Sequence, residues 1–118
     1  MKRKISAKRI YELADEGDGY RMLVDHLWPR GLKKEDARLD EWNKNIAPSN
    51  ELRKWFAHKP ERFDEFVLRY REELHTKTDE LLRLNQIADS RGLTLLFAAK
   101  DTNHNQAVVL LQLLNSMI

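Results

Sequence analysis

A chain of 118 residues suits one domain, long enough to withdraw roughly two-thirds of its unfolded surface into a single core. Its 34% charged and 42% hydrophobic residues carry neither a disordered nor a membrane signature, and a net charge of +2 restricts any nucleic-acid contact to a local basic patch. The absence of cysteine excludes disulfides, thiolate metal sites and thiol nucleophiles.

The amino-terminal stretch MKRKISAKRIYEL is basic but has no apolar segment behind it, and no run of about 18 apolar residues occurs anywhere. No secretory leader and no membrane partner are therefore expected, and cytoplasmic residence is the default. Ile5 and Ala7, with Ile10 to Leu13 as an extension, predict a first strand flanked by Lys2, Arg3, Lys4, Lys8 and Arg9. Asp15 to Gly19, reading DEGDG, is a turn-forming connection too short for a crossover helix. It leads to a second strand, Arg21 to Asp25, whose Met22–Leu23–Val24 run lacks helical period and reads as covered on both faces. Pro29 and Gly31 then force a turn around Trp28 and Arg30.

Lys33 to Asn45 alternates charges with Ala37, Leu39 and Trp42, which predicts one or two short helical turns over the sheet. Ser49 or Asn50 caps a helix from Glu51 to about His58 that presents Leu52, Trp55 and Phe56 on one face. Pro60 restarts the chain, and Phe63, Phe66, Val67, Tyr70 and Leu74 keep helical spacing to His75. Thr76 or Thr78 caps a further helix carrying Leu81, Leu84 and Ala88, ended by Gly92. Leu93 to Ala99, reading LTLLFAA, is the most apolar short run and predicts a central strand. The last helix, Asn105 to about Met117, is apolar nearly all round, so the fold or a homodimer partner must cover it. The order of elements predicts a small, helix-rich α/β domain with a short, mainly parallel sheet of three or four strands covered by helices.

Chemistry-bearing residues gather at two strand ends. Asp25, Trp28 and Arg30 follow the second strand, and Lys100, Asp101, His104 and Asn105 lie between the LTLLFAA strand and the last helix. If these strands are neighbours, the two segments face one another across a crevice at the carboxyl edge of the sheet, where open α/β sheets bind ligands. Arg30 and Lys100, with the amino end of the last helix, then favour a small anionic ligand, a phosphate or carboxylate. Trp28 shapes one wall, and Asp25 or His104 is the candidate general base. The structural alternative has Asp101 or Asn103 capping the helix while Arg30 forks onto Asp25 as an ion pair.

No metal site is expected. His26 and His104, with Asp25 and Asp101, lack the i, i+4 pairing of a metal-binding helix, and His58 and His75 sit where an imidazole complements a helix end. No cofactor is expected either. Glu51 to Leu74 superficially resembles a helix-turn-helix, but Glu61, Asp64, Glu65, Glu72 and Glu73 would meet phosphates with like charge. A nucleic-acid or protein interaction module is therefore the second reading, resting on the basic amino terminus.

The segments RMLVDHLWPRG, APSNELRKWFAHKPERFDEFVLRYREEL and TLLFAAKDTNHNQAVVLLQ, in this order, resemble the bacterial YeaO-like family of uncharacterised proteins over nearly the whole chain. The resemblance implies a small α/β domain and brings no established reaction. His26 stands where the family pattern VDRLWPRG has arginine. More distant relatives carry cysteine and a His–Arg pair after the last strand, where this chain has Phe97, Asn105, Gln106 and Ala107, so their thiol chemistry does not carry over. Some relatives are described as transcriptional regulators, which the acidic face opposes.

Overall fold

The computed structural model describes residues 3–117. Four strands, β1 (Ile5–Arg9), β2 (Tyr20–Leu23), β3 (Glu41–Trp42) and β4 (Leu93–Phe97), form one sheet in the order β1-β4-β2-β3, and every neighbouring pair is parallel. All five residues of β4, Thr94 among them, are buried because a central strand is covered on both faces, which fits its mainly apolar run. β1 ends at Arg9; Ile10 N still donates to Phe97 O at 2.8 Å, and Tyr11 to Leu13 then turns away from the sheet instead of extending it. The link that follows, residues 10–19 with a 3₁₀ turn over Glu16–Asp18, returns the chain from the carboxyl end of β1 to the amino end of β2 without a crossover helix, and β4 lies between the two strands.

The strand β3 falls within the stretch expected to be helical. Only α1 (Lys34–Ala37) is helical there. Glu41 and Trp42 pair with Met22 and Leu23, and flanking bonds from Asp40 N to Arg21 O (2.9 Å) and Asn43 N to Leu23 O (2.8 Å) extend the attachment. A strand of two residues has no readable period, and its position is fixed from outside: Tyr20 Oη and the Arg83 guanidinium both donate to the Glu41 carboxylate.

Alternation along the strands sorts side chains between two layers. Met22, Val24, Leu93, Leu95 and Phe97 enter the main core beneath α2 (Asn50–Phe56), α3 (Phe63–His75), α4 (Thr78–Ser90) and α5 (Gln106–Ser116). Leu23 and Leu96 point the other way, joining Ile10 and Ala37 under a cover of Trp28, Leu32, Leu39 and Trp42. Ser49 caps α2 by accepting from Leu52 N at 3.1 Å. Neither Thr76 nor Thr78 caps α4: its N-cap is Lys77, and Thr76 Oγ1 donates back to Glu73 O at 2.9 Å. Ala107, Val109, Leu110 and Leu114 of α5 are buried against the sheet and neighbouring helices, so the fold itself covers most of that apolar helix.

A polar layer anchors the β1–β2 link. Arg21, only 5% exposed, pairs with Asp18 and donates to Ala37 O at 2.9 Å and Arg38 O at 3.1 Å. Lys8 reaches the same carboxylate at 3.1 Å, and Thr94 Oγ1 donates to Asp18 O at 2.6 Å. Burial alone would raise the Asp18 pKa, but the Asp15 N–H and the Lys8 and Arg21 cations hold it below the ordinary carboxylate value.

Candidate functional site

Leu23 of β2 stands beside Leu96 of β4, so the two chemistry-bearing segments leave adjacent parallel strands. Val24 N donates to Leu96 O at 3.0 Å, extending the ladder one residue and delivering Asp25 to the strand end. Asp25 Oδ2 accepts from Ala98 N and Oδ1 from Gln106 Nε2, both at 2.8 Å, while the Asp25 carbonyl accepts from Trp42 Nε1 at 2.8 Å. One residue thereby joins the end of β2 to the β4 loop, the first turn of α5 and the residue beyond which β3 ends. Burial pushes the Asp25 carboxyl pKa up, against the hydrogen bonds from Ala98 and Gln106 and the positive fields of His58 and Arg53.

From this joint the two loops part. Beyond His26 the β2 loop runs over the face opposite α2–α5, where Trp28 stacks edge-on against Trp42 (5.2 Å between centroids) and donates its Nε1 to Leu32 O at 2.7 Å. The β4 loop turns toward the helical face. There Asp101 Oδ1 accepts from Asn103 N (2.9 Å) and His104 N (3.0 Å), and Oδ2 lies 2.9 Å from His104 Nδ1. The Asn103 N–H first, and then the His104 ring, lower the Asp101 pKa. The His104 ring meets Phe63 edge-on at 5.0 Å. Asn105, 1% exposed, caps α5 by accepting from Val108 N at 3.1 Å and donates to Asp101 O at 2.9 Å.

Arg30 and Lys100 are both exposed. Tyr11 Oη donates to Arg30 O at 2.8 Å, and the Arg9 guanidinium lies 4.9 Å from the Tyr11 ring while donating to Ala99 O (2.9 Å) and Ala98 O (3.3 Å). Arg9 and Tyr11 therefore link the backbone of the WPRG turn to the backbone that enters Lys100. Among the described residues, Arg9, Arg30 and Lys100 are in no ion pair. The Arg30–Asp25 pair of the structural alternative does not form, since the Asp25 oxygens are taken by Ala98 and Gln106.

Sequence reasoning missed Arg9, Tyr11 and Gln106. Arg9 is the last residue of β1, a strand-end position that the longer first strand concealed. His58 follows the Ala57 C-cap at the end of α2 in a left-handed pair with it (φ 56° and 49°), for which no glycine or asparagine gives a signal, and its field also reaches Asp25. Among the described residues, no group of three or more His, Asp or Glu side chains is placed to hold a metal ion. The basic amino terminus is partly spent: Arg3 pairs with Asp89 at 3.0 Å and Lys4 Nζ donates to Gly17 O at 2.7 Å, while Lys2 lies outside the described residues. No described helix is long and apolar enough to cross a membrane.

A family model described as the inactive DUF488-N3 subclade matches residues 4–118. The uncharacterised protein YeaO of Escherichia coli K12 is 49% identical over 113 residues, which cover 96% of this chain and 98% of that protein. An uncharacterised protein of Mycobacterium tuberculosis strain H37Rv is 45% identical over 112 residues, covering 95% and 94% respectively. No solved structure matches.

Proposed function

The chain belongs to the family described as the inactive DUF488-N3 subclade, and from that premise we propose that it binds a small anionic ligand without transforming it. The ligand, a phosphate or carboxylate, occupies the crevice outside the carboxyl ends of β2 and β4. The carrying observation is the set of Arg9, Arg30 and Lys100, free of ion pairs among the described residues, where loops leave adjacent parallel strands toward opposite faces. Arg30 and Lys100 hold the anion, and Arg9, fixed on the Ala98 and Ala99 carbonyls, adds its charge from the β1 side. Trp28 forms part of one wall.

Asp25 and His104, the candidate bases, act in this reading as supports. Each Asp25 oxygen already accepts a hydrogen bond, and His104 Nδ1 is engaged by Asp101. Asn105 and Asp101 shape the loop and the start of α5, and the family's description as inactive speaks for binding alone. A role in nucleic-acid binding draws less support, because Arg3 and Lys4 are occupied within the chain.

The test is a titration with glycerol phosphate followed on backbone amides by NMR. Saturable shifts are expected at residues 30–31 and 99–101 of the wild type and lost in Arg30→Ala. Absence of these shifts, or their survival in the variant, would remove Arg30 from the site.

A further inference from the structure

A recess of about 600 Å³ lies where the segment following β3 meets the α3–α4 junction and the ring of His26. Its volume is in the range of small-molecule sites. Lys44, Lys77 and His26, residues with basic side chains, are among those that line it, as is Glu73 with its carboxylate. That carboxylate is already engaged: Ser49 N donates to Oε1 at 2.9 Å and Ser49 Oγ to Oε2 at 2.6 Å.

The lysines are differently held. Lys44 Nζ rests 4.1 Å from the centroid of the Trp42 ring, and Lys77 Nζ donates to Asn45 O, which brings its ammonium over the backbone beside Lys44. Among the described residues, neither forms an ion pair. A cation on an aromatic face or a single carbonyl keeps further donors for a ligand, since an ammonium has three. His26 Nδ1 is closed to solvent and has no hydrogen-bond partner among the described residues, whereas buried polar groups are ordinarily paired.

We propose that this recess is a second ligand site, for a small molecule bearing a phosphate group. Lys44 and Lys77 take the phosphate oxygens, and the His26 ring forms the adjoining wall. Separate ammonium groups suit the divergent oxygens of a tetrahedral phosphate, while a planar carboxylate is better matched by a guanidinium fork. The site is independent of Arg30 and Lys100, so it stands or falls apart from the strand-end crevice.

Inorganic phosphate is the probe, with acetate as the carboxylate comparison, each titrated against the full chain and followed by amide NMR. Phosphate should produce saturable shifts at Asn45, Thr76 and Lys77. In a Lys44→Gln/Lys77→Gln variant with an otherwise wild-type spectrum, phosphate affinity at these amides should fall about tenfold or more, as expected for losing two charge-assisted contacts. Arg30→Ala should leave it unchanged. The proposal is overturned if phosphate gives no saturable shifts at Asn45, Thr76 and Lys77, if affinity survives the double substitution, or if acetate binds equally well.

Discussion

Gln106 Nε2 donates both to Asp25 Oδ1 at 2.8 Å and to Val24 O at 3.2 Å, so the first residue of α5 is bonded directly to the end of β2. With Ala98 N on its other oxygen, Asp25 is the joint between the ends of β2 and β4 and the start of α5. Asp25→Ala strands the Ala98 N–H and leaves Gln106 Nε2 with only its longer bond to Val24 O, and should cost about 1–3 kcal/mol in urea unfolding. The pH dependence has a definite sign. Because the folded pKa of Asp25 is raised, the folded state binds the extra proton, and this group's contribution falls as pH rises from the ordinary 3.8 through the folded value. Wild type should therefore lose stability relative to Asp25→Ala across that window, and a parallel pair of stability curves would contradict the raised pKa.

Asp18 behaves in the opposite sense. Its folded pKa is lowered, so its contribution is complete above the ordinary 3.8 and is lost as pH falls through the lower folded value. Asp18→Ala leaves Arg21, with a side chain 6% exposed, without its carboxylate, and breaking such a pair from one side should cost about 3–5 kcal/mol. Urea midpoints from about pH 2 to pH 6 would check both claims, with the acid-side loss of stability shallower in the variant.

What could be read from the chain divides along physical lines. The LTLLFAA run announces a central strand because burial on both faces removes any polar alternation, and Phe63 to His75 announces a helix because its apolar residues repeat at helical spacing. Those patterns are local. β3 is not: Glu41 and Trp42 become a strand because the end of β2 offers hydrogen bonds and Arg83 grips Glu41 from α4. Neighbouring strands bring Asp25 close to the start of the last helix, but its partners there, Ala98 N and Gln106 Nε2, carry no sequence signal, and Arg9 and Tyr11 join the strand ends through a pairing of β1 with β4 that no periodicity encodes.

Two left-handed glycines should respond differently to the same substitution. A Cβ on Gly19 (φ 65°) would meet Arg91 O at 2.6 Å and Gly92 O at 2.7 Å, backbone atoms that cannot swing aside. Gly31 (φ 76°), in the WPRG turn, has nothing within 4 Å of such a Cβ. Gly31→Ala should therefore cost about 1 kcal/mol from dihedral strain alone, and Gly19→Ala should cost clearly more because a clash adds to that strain. Equal losses in thermal or urea unfolding would refute the close approach at Gly19.

The attachment of β3 can be tested separately from global stability. Arg83 donates to Glu41 Oε2 at 2.6 Å and to Glu80 Oε1 at 2.7 Å, while Asn43 Nδ2 donates to Glu80 Oε2 at 2.9 Å. Since the Arg83 side chain is 40% exposed, solvent screening limits the worth of these pairs to about 1 kcal/mol or less each. Arg83→Ala should thus lower global stability only slightly. Its local effect should be larger, because a strand of two residues has few ladder bonds of its own and opens easily once the fork is gone. Amide hydrogen exchange at Asn43, whose N–H donates to Leu23 O at 2.8 Å, should accelerate in the variant while the β4 amides keep their protection. Unchanged exchange at Asn43 would mean that β2 alone retains β3, and the Arg83 fork would then be a surface pair without structural consequence.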